Sequence, residues 1–287
     1  MLEELERALK EAGFRFRTGD ENIELHYRNC DEKEANCRAI MADFLEMKVD
    51  LIYSLGSPVI STVKKMLVGT EVPVVCAEVF DPVVMGLLRD YEGTHGNVTG
   101  TYYRVSLAEQ LDKGLIPLVD TVKRLGVIYN TGELHSEIQL DEAKKLASER
   151  GFELFPFDVQ NPGDLHRALE FFQDQEIDAL FLPADTMTPQ VAKKDIKALA
   201  EKFPALCALR SAVQKGGLVS YCANWRNLCQ VSAKSAVRIL NGESPDKIPF
   251  VGPQEHQLIV NLETARALGL SVGEETRKKA AELIEKS

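Results

Sequence analysis

No stretch of the 287-residue sequence supplies the roughly 18–20 consecutive apolar residues that a membrane-spanning helix needs. Blocks of basic residues are missing as well. The 34 lysines and arginines are outnumbered by 44 acidic residues, for a net charge of −10. That balance argues against nucleic acid as a partner, because a phosphate backbone demands a positive field. It also disfavours docking on anionic lipid. Signatures of covalent chemistry are absent too: there is no G-x-S-x-G elbow, no Walker A sequence and no G-x-G-x-x-G. The histidines His26, His95, His135, His166 and His256 have no metal-ligand spacing. The expectation is a protein without catalytic residues, metal or cofactor. The opening MLEELERALKEAGF is acidic and amphipathic, with neither the basic nor the apolar region of a signal sequence.

Six cysteines are present: Cys30, Cys37, Cys76, Cys207, Cys222 and Cys229. Cys30 and Cys37 lie seven apart on what reads as one helix, expected over 31–47 with Cys30 at its threshold, which would hold their Cα atoms about 10 Å apart at ~1.5 Å per residue, beyond disulfide reach. Cys222 and Cys229 share that spacing across a strand–helix junction. Cys76 and Cys207 read as small core residues. All six are expected as free thiols.

What the chain does contain is a sustained alternation of strand and helix. A helix over 2–12 stops at Gly13, in the manner of a C′ glycine. Ile23–Arg28 alternates apolar and polar like a strand. Val49–Leu55 is a near-continuous apolar run, the mark of a parallel strand covered on both faces. Helix 58–67 and strand Val72–Ala77 follow. Further strands are expected at 124–129, 153–158, 179–183, 205–209, 218–221 and 257–260, with helices at 136–150, 163–174, 189–202 and 227–241. Asn261 should cap a final helix, 262–268, that stops at Gly269. Such alternation means βαβ units and parallel sheets. Two blocks, about 1–100 and 104–209, are each long enough for a doubly wound lobe, and the turn-rich join Gly93–Arg104 reads as a hinge strand. A doubly wound lobe ordinarily opens on a strand, whereas this sequence opens inside a helix. The first strand of the N-lobe, with any leader before it, is therefore read as absent from this chain.

Ligands of open α/β sheets bind at the carboxyl ends of the strands. Ser57, in LIYSLGSP, ends one strand and opens a helix; it is either a plain N-cap or part of an anion site at the helix N-terminus. Asp81, in VPVVCAEVFDP, ends the next; it either forms an Asx turn or accepts from a ligand ammonium. Tyr129 and Asn130 (VIYNTG) and Asp185 (FLPADT) hold the equivalent places in the second block. Arg210 follows the strand 205–209 and suits either a carboxylate clamp or a salt bridge. Tyr102 and Tyr103 sit on the join and offer aromatic surface. One acceptor and one donor group at the same crevice would match the two charges of a zwitterion.

These stretches also carry a resemblance. DLIYSLGSP (50–58), VPVV…DPV (72–83), GNVTG (96–100), RLGVIYN (124–130), DALFLPAD (178–185), RILNGESPDKIPF (238–250) and LIVNLETARALGL (258–270) keep their order and spacing over nearly the whole chain. The sequence resembles the ABC-transporter substrate-binding family that includes the tryptophan-binding lipoproteins. The resemblance implies a type I periplasmic-binding-protein fold: two Rossmann-like lobes joined by a three-crossover hinge, with the N-lobe over 1–102 plus 211–250 and the C-lobe over 103–210 plus 251–287. It implies an extracytoplasmic receptor that closes on a small zwitterionic solute in an interlobe cleft and presents it to an ABC permease. The ligand-contacting positions carried over are Ser57, Asp81, Asn130 and Asp185. The usual Thr-Asp after the strand proline is here Ala184–Asp185, and the segment around Arg210 departs from the family's short polar run. A domain that senses the same ligand for a signalling partner is the first alternative, and an α/β enzyme using the cleft is the second.

Overall fold

A computed structural model of the chain describes residues 2–16, 19–31, 33–66, 70–91, 96–161, 163–185 and 193–286. The chain divides into two compact units, one of Met1–Arg104 with Ala223–Glu255 and the other of Val105–Cys222 with His256–Ser287. It therefore passes from unit to unit three times, after Arg104, Cys222 and Glu255. The expected boundaries need three corrections, the first being that Tyr103 and Arg104 stay with the first unit. Residues 211–222 belong to the second unit, because they supply most of a short helix and a strand to its sheet. Residues 251–255 stay with the first, where Val251 bridges Thr101.

In chain order the elements run α1 (Leu2–Glu11), α2 (Glu34–Glu46), β1 (Ile52–Leu55), α3 (Ser57–Met66), β2 (Val74–Val79) and β3 (Val98–Tyr102). There follow α4 (Leu107–Gln110), a π-helical turn (Leu111–Leu115), α5 (Ile116–Val119), β4 (Arg124–Tyr129), α6 (Leu134–Arg150), β5 (Glu153–Asp158) and α7 (Asp164–Asp174). Next come β6 (Ala179–Leu182), α8 (Lys193–Ala200), β7 (Ala205–Cys207), α9 (Arg210–Gln214), β8 (Val219–Ala223) and α10 (Trp225–Leu240). The chain closes with β9 (His256–Asn261), α11 (Leu262–Ala267), α12 (Glu274–Lys279) and β10 (Glu282–Ile284). The expected helix 189–202 is described only from Lys193.

In the first unit β1, β2 and β3 form a parallel sheet in that order. All six residues of β2 are buried, because helices cover both faces. Successive side chains alternate between those faces. Val75 joins Leu5, Leu9, Ala233, Ala236 and Ile239 of α1 and α10 on one side, while Val74 and Cys76 join Met41, Ile52 and Ile60 on the other. Gly100 is required at the centre of β3: a Cβ there would stand 1.8 Å from the Cys76 carbonyl oxygen.

The second unit has a seven-stranded sheet in the order β10-β9-β8-β7-β6-β4-β5. One of its faces is filled by Leu180, Leu182, Phe172, Phe203 and their neighbours. The cap read from the sequence is in place, since Asn261 Oδ1 accepts from the Thr264 N–H at 3.1 Å. Gly13 and Gly269 end their helices with φ of +86° and +69°.

Two further expectations are corrected. Ile23–Arg28 is not a strand; no described strand pairs with it, and of its N–H groups only that of Ile23 makes a backbone bond, to the Arg15 carbonyl. Cys30 and Cys37 are joined in a disulfide, their Cα atoms 5.0 Å apart. Helix α2 starts at Glu34 rather than at residue 31. A turn closed by the Lys33 N–H on the Cys30 carbonyl, with Asp31 at φ +50°, folds Cys30 back onto the first turn of α2. The other four cysteines are free and buried.

Candidate functional site

The first unit gathers polar and aromatic side chains where its strands end. Asp81, 1% exposed, lies just beyond β2. Its Oδ1 accepts from the backbone N–H of Val83 and Val84 at 3.0 and 3.2 Å. Its Oδ2 accepts from the Tyr91 hydroxyl at 2.7 Å and from Arg104 Nη1 at 3.0 Å. The Asx-turn reading of Asp81 is thus visible, while its other oxygen is paired with the protein's own Arg104, a partner the sequence did not indicate. Arg104 follows β3 and also lies over the Phe80 ring, 5.8 Å from its centroid.

Tyr102 and Tyr103 are adjacent and so face opposite ways along an extended chain. Tyr102 packs on Tyr91 with ring centroids 5.6 Å apart. Burial, then the Asp81 charge, raises its hydroxyl pKa. Tyr103 packs on Trp225, at 5.0 Å, and meets the Phe80 edge at 5.7 Å. Trp225 is delivered by the start of α10, which Asn224 caps by accepting from the N–H groups of Arg226 and Asn227. Ser57 is the first residue of α3, after Gly56 at φ +85°; its side chain lies outside what the structure describes.

Glu78 was not anticipated. It is 4% exposed, sits where the β2–β3 register shifts between Cys76 and Val79, and holds φ +62°, a conformation unusual for a residue with a Cβ. Its N–H donates to Thr101 Oγ1 at 3.2 Å, and its carboxylate accepts from Cys229 Sγ at 2.9 Å. Burial raises the Glu78 pKa, with the Cys229 hydrogen bond partly opposing it. Burial and Glu78 together push the Cys229 thiol up to about 12. The available signal was an acid inside the otherwise apolar run VPVVCAEVF. Trp225 gave no signal, since its partner Tyr103 is remote in sequence.

In the second unit, Tyr129 and Asn130 end β4. The Asn130 N–H donates to Ser136 Oγ at 2.9 Å, and its Oδ1 accepts from the Gly132 N–H at 2.7 Å, an Asx turn. Asp185, 5% exposed, follows β6. It is positioned through Ala184, whose N–H and C=O are both held by the side-chain amide of Gln139, at 2.9 and 3.0 Å. Residues 186–192, directly after it, lie outside the described residues. Arg210 opens α9 and its Nε donates to Glu282 Oε2 at 2.7 Å. That hydrogen bond raises the Arg210 pKa.

Among the described residues no group of three or more His, Cys, Asp or Glu could hold a metal ion, and no helix is long and apolar enough to cross a membrane.

The sequence pattern of the family described as "ABC transporter substrate binding protein" matches residues 2–284. The chain is 28% identical over 270 residues to a protein of Clostridioides difficile (strain R20291) named tyrosine-binding protein, covering 92% of this chain and 75% of that one. It superposes with a TM-score of 0.80 on the ligand-free, open structure of a substrate binding protein with adhesive properties from Clostridium difficile, at 27% identity over 99% of this chain and 94% of the other. It also superposes, with a TM-score of 0.82, on an ABC domain from Streptococcus pneumonia in complex with L-Trp, at 21% identity over 98% and 93% of the two chains. At that identity the last likeness concerns the fold alone.

Proposed function

The chain belongs to the ABC transporter substrate-binding protein family, with the two-lobed α/β architecture of type I periplasmic binding proteins, and from that premise we propose that it receives an amino acid with an aromatic side chain for an ABC importer. The observation that carries this reading is the grouping in the first unit: Tyr103 packed on Trp225, near the paired charges of Asp81 and Arg104. Tyrosine and tryptophan rings offer a flat apolar face with a polar edge, which suits a third ring. Charged ends of a zwitterion each need a partner once they leave water. Arg104, paired with Asp81 beyond the end of β3, is assigned as the donor to the ligand carboxylate. Glu78 and Asp81 are the acidic groups for an ammonium. The α3 N-terminus at Ser57 adds backbone donors, and Tyr102 buttresses the site through Tyr91. From the second unit we assign Tyr129, Asn130 and Asp185 to ligand contact. Arg210 we assign to its pair with Glu282.

The name of the 28%-identical relative supports the aromatic class. Family membership supports an ABC permease as partner and an extracytoplasmic setting, and the Cys30–Cys37 disulfide supports the same setting, since such bonds persist in oxidising compartments. Trp225 is the sole tryptophan, so its fluorescence reports directly on the site. Titration with L-tyrosine, L-phenylalanine and L-tryptophan (the last by calorimetry) should give saturable binding that leucine, glutamate and sugars do not match. A sugar or a dicarboxylate as the tightest ligand would overturn the proposal.

A further inference from the structure

The sheet of the second unit reverses its strand order at one place. From β4 the chain moves outward to β5, returns past β4 to β6, and continues inward through β7, β8 and β9. The reversal lies between β4 and β6, and the carboxyl ends of strands that flank such a reversal border a crevice. Asn130 follows β4 and Asp185 follows β6, so two of the residues assigned to ligand contact stand on either side of it. The register between these strands runs only to Val127 opposite Phe181. Beyond that pair, their ends are held by something other than the β4–β6 ladder.

The holding element is the start of α6. Its buried residues begin polar and end apolar: His135, Ser136 and Gln139 come before Leu140, Ala143, Leu146 and Ala147. Buried amides and hydroxyls cost stability unless they are hydrogen-bonded, so packing alone would favour apolar side chains here. Gln139 uses its amide as a strand uses its backbone. Its Oε1 accepts from the Ala184 N–H at 2.9 Å, and its Nε2 donates to the Ala184 C=O at 3.0 Å. Nε2 also donates to the His135 C=O at 2.8 Å, one turn back on α6, which fixes the side chain against its own helix. Ser136 Oγ accepts from the Asn130 N–H at 2.9 Å. Residues three apart share a helix face, so the ends of β4 and β6 hang on one face of α6.

We infer that Gln139 is a positioning residue: by clamping the Ala184 backbone to the helix face that also holds Asn130, it sets the spacing of Asp185 and Asn130 across the crevice and thereby the affinity for ligand. The affinity half of this inference rests on the proposed function, in which Asn130 and Asp185 touch the ligand; the clamping half does not. An apolar side chain of equal length would fill the space but leave the Ala184 N–H and C=O without their partner, and buried backbone groups so orphaned are costly. The Ala184 segment would then shift to find other partners. Binding constellations tolerate displacements of only about 0.5 Å, so Asp185, the next residue, would leave its place relative to Asn130.

The test compares Gln139→Met and Gln139→Glu with the parent in the whole chain, with L-tyrosine, L-phenylalanine and L-tryptophan as probes. In Gln139→Met, hydrogen exchange without ligand should speed up about tenfold or more at the amides of both Ala184 and Asn130, and stay as in the parent at Val127 and Phe181 within the ladder. Affinity for the tightest probe should fall about tenfold or more. Gln139→Glu gives a readout that packing would not move, and it serves if the methionine variant does not fold. An ionised carboxylate accepts from the Ala184 N–H but cannot donate to its C=O, whereas a protonated one does both. From about pH 8 down to about pH 5, the affinity of Gln139→Glu relative to the parent should therefore climb as the buried carboxyl takes up its proton. Affinity equal to the parent's in Gln139→Met would overturn the inference, as would faster exchange at Ala184 alone, faster exchange spreading to Val127 and Phe181, or a weakened Gln139→Glu whose relative affinity stays flat with pH. If the parent binds none of the three amino acids, the ligand class of the proposed function falls, and the exchange at Ala184 and Asn130 decides the clamp by itself.

Discussion

The two units are written in the same alternation of strand and helix, yet their sheets are closed to different degrees. In the second, β4, β6 and β7 each have a strand on both sides, and Phe172 is enclosed by Phe157, Phe171 and Phe203 at centroid distances of 6.1, 5.5 and 6.3 Å. In the first, β1 is paired on one side and open to a cavity on the other. The comparison separates two things that a hydrophobic pattern joins. Ala205–Cys207 is only three residues long and is a strand, because neighbours pair with it on both sides. Ile23–Arg28 has the better alternation and stays unpaired, because nothing lies in register beside it. Strand propensity is realised through cross-strand neighbours.

The largest effect should expose that difference directly. Phe172→Ala removes a fully buried ring from a closed core and should cost about 3–5 kcal/mol. Leu9 is also buried, but it borders the cavity, so part of its surround is already without partner atoms. Leu9→Ala should cost about 2 kcal/mol, the low end for its class. Urea unfolding followed by residue-resolved hydrogen exchange would measure both, and equal losses would remove the distinction between the units.

Next in size is Asp81→Asn. Asparagine keeps an acceptor for Val83 and Val84 but takes away the charge opposite Arg104. Hydrogen bonds to charged groups contribute about 1.5–3 kcal/mol, and that range is expected here, with Arg104 partly exposed and placing the loss toward the lower end. If ligand binding runs through the same pair, affinity should fall in parallel. A stability loss with unchanged affinity would make Asp81 a folding residue only.

Reducing the Cys30–Cys37 disulfide opens a loop of eight residues, counted from Cys30 to Cys37. Chain entropy assigns about 2.5 kcal/mol to such a loop. Thiol counting on the denatured, unreduced protein should find four cysteines, and exchange should rise after reduction along 22–30 and β1 while the second unit is unaffected. Recovery of six thiols would restore the expectation drawn from the sequence.

Much of this architecture was legible in the sequence, and the exceptions have physical causes. Arg124–Tyr129 and Glu153–Asp158 fall where apolar runs or alternation place them, and Asn261 caps as its position before a helix suggests. β10 was not legible: Glu282–Ile284 is a strand through its pairing with β9, Glu282 opposite Ile259, and its own pattern is too short to declare itself. The disulfide was missed because α2 starts three residues later than its periodicity implied, so the helical rise does not separate the two sulfurs. Of the candidate site, Asp81, Asn130, Tyr102 and Tyr103 lie at strand ends, where the sequence places them. Glu78 and Trp225 were not singled out, since one is an acid in an apolar strand and the other depends on a partner distant in the chain.

Glu78 sharpens the comparison through pH. Its folded-state pKa lies above the ordinary value of 4.5, so the unfolded chain releases this proton first as pH rises. The stabilising contribution is complete below about 4.5 and is lost as pH climbs through the folded-state value. Glu78→Gln carries no such proton and should lose less stability over that window, so the two proteins should diverge from pH 4.5 upward in the first unit and not in the second. Parallel stability curves would show that burial does not govern Glu78.

The smallest effect separates two arginines of similar sequence setting. Arg104 and Arg210 each follow a strand, and each bonds a carboxylate. Asp81, the partner of Arg104, is 1% exposed, whereas Arg210 and Glu282 are 46% and 31% exposed at the side chain. An exposed pair gains little, because water screens the attraction and two long side chains must be held in one geometry. Arg210→Ala should therefore cost less than about 1 kcal/mol, a loss that 0.5 M salt should largely erase in the parent protein. Ligand affinity should stay as it was, because the pair with Glu282 leaves Arg210 its own carboxylate on the protein. A tenfold or greater loss of affinity in Arg210→Ala would instead return it to the role of carboxylate clamp, and Glu282→Gln would then be expected to tighten binding by releasing it.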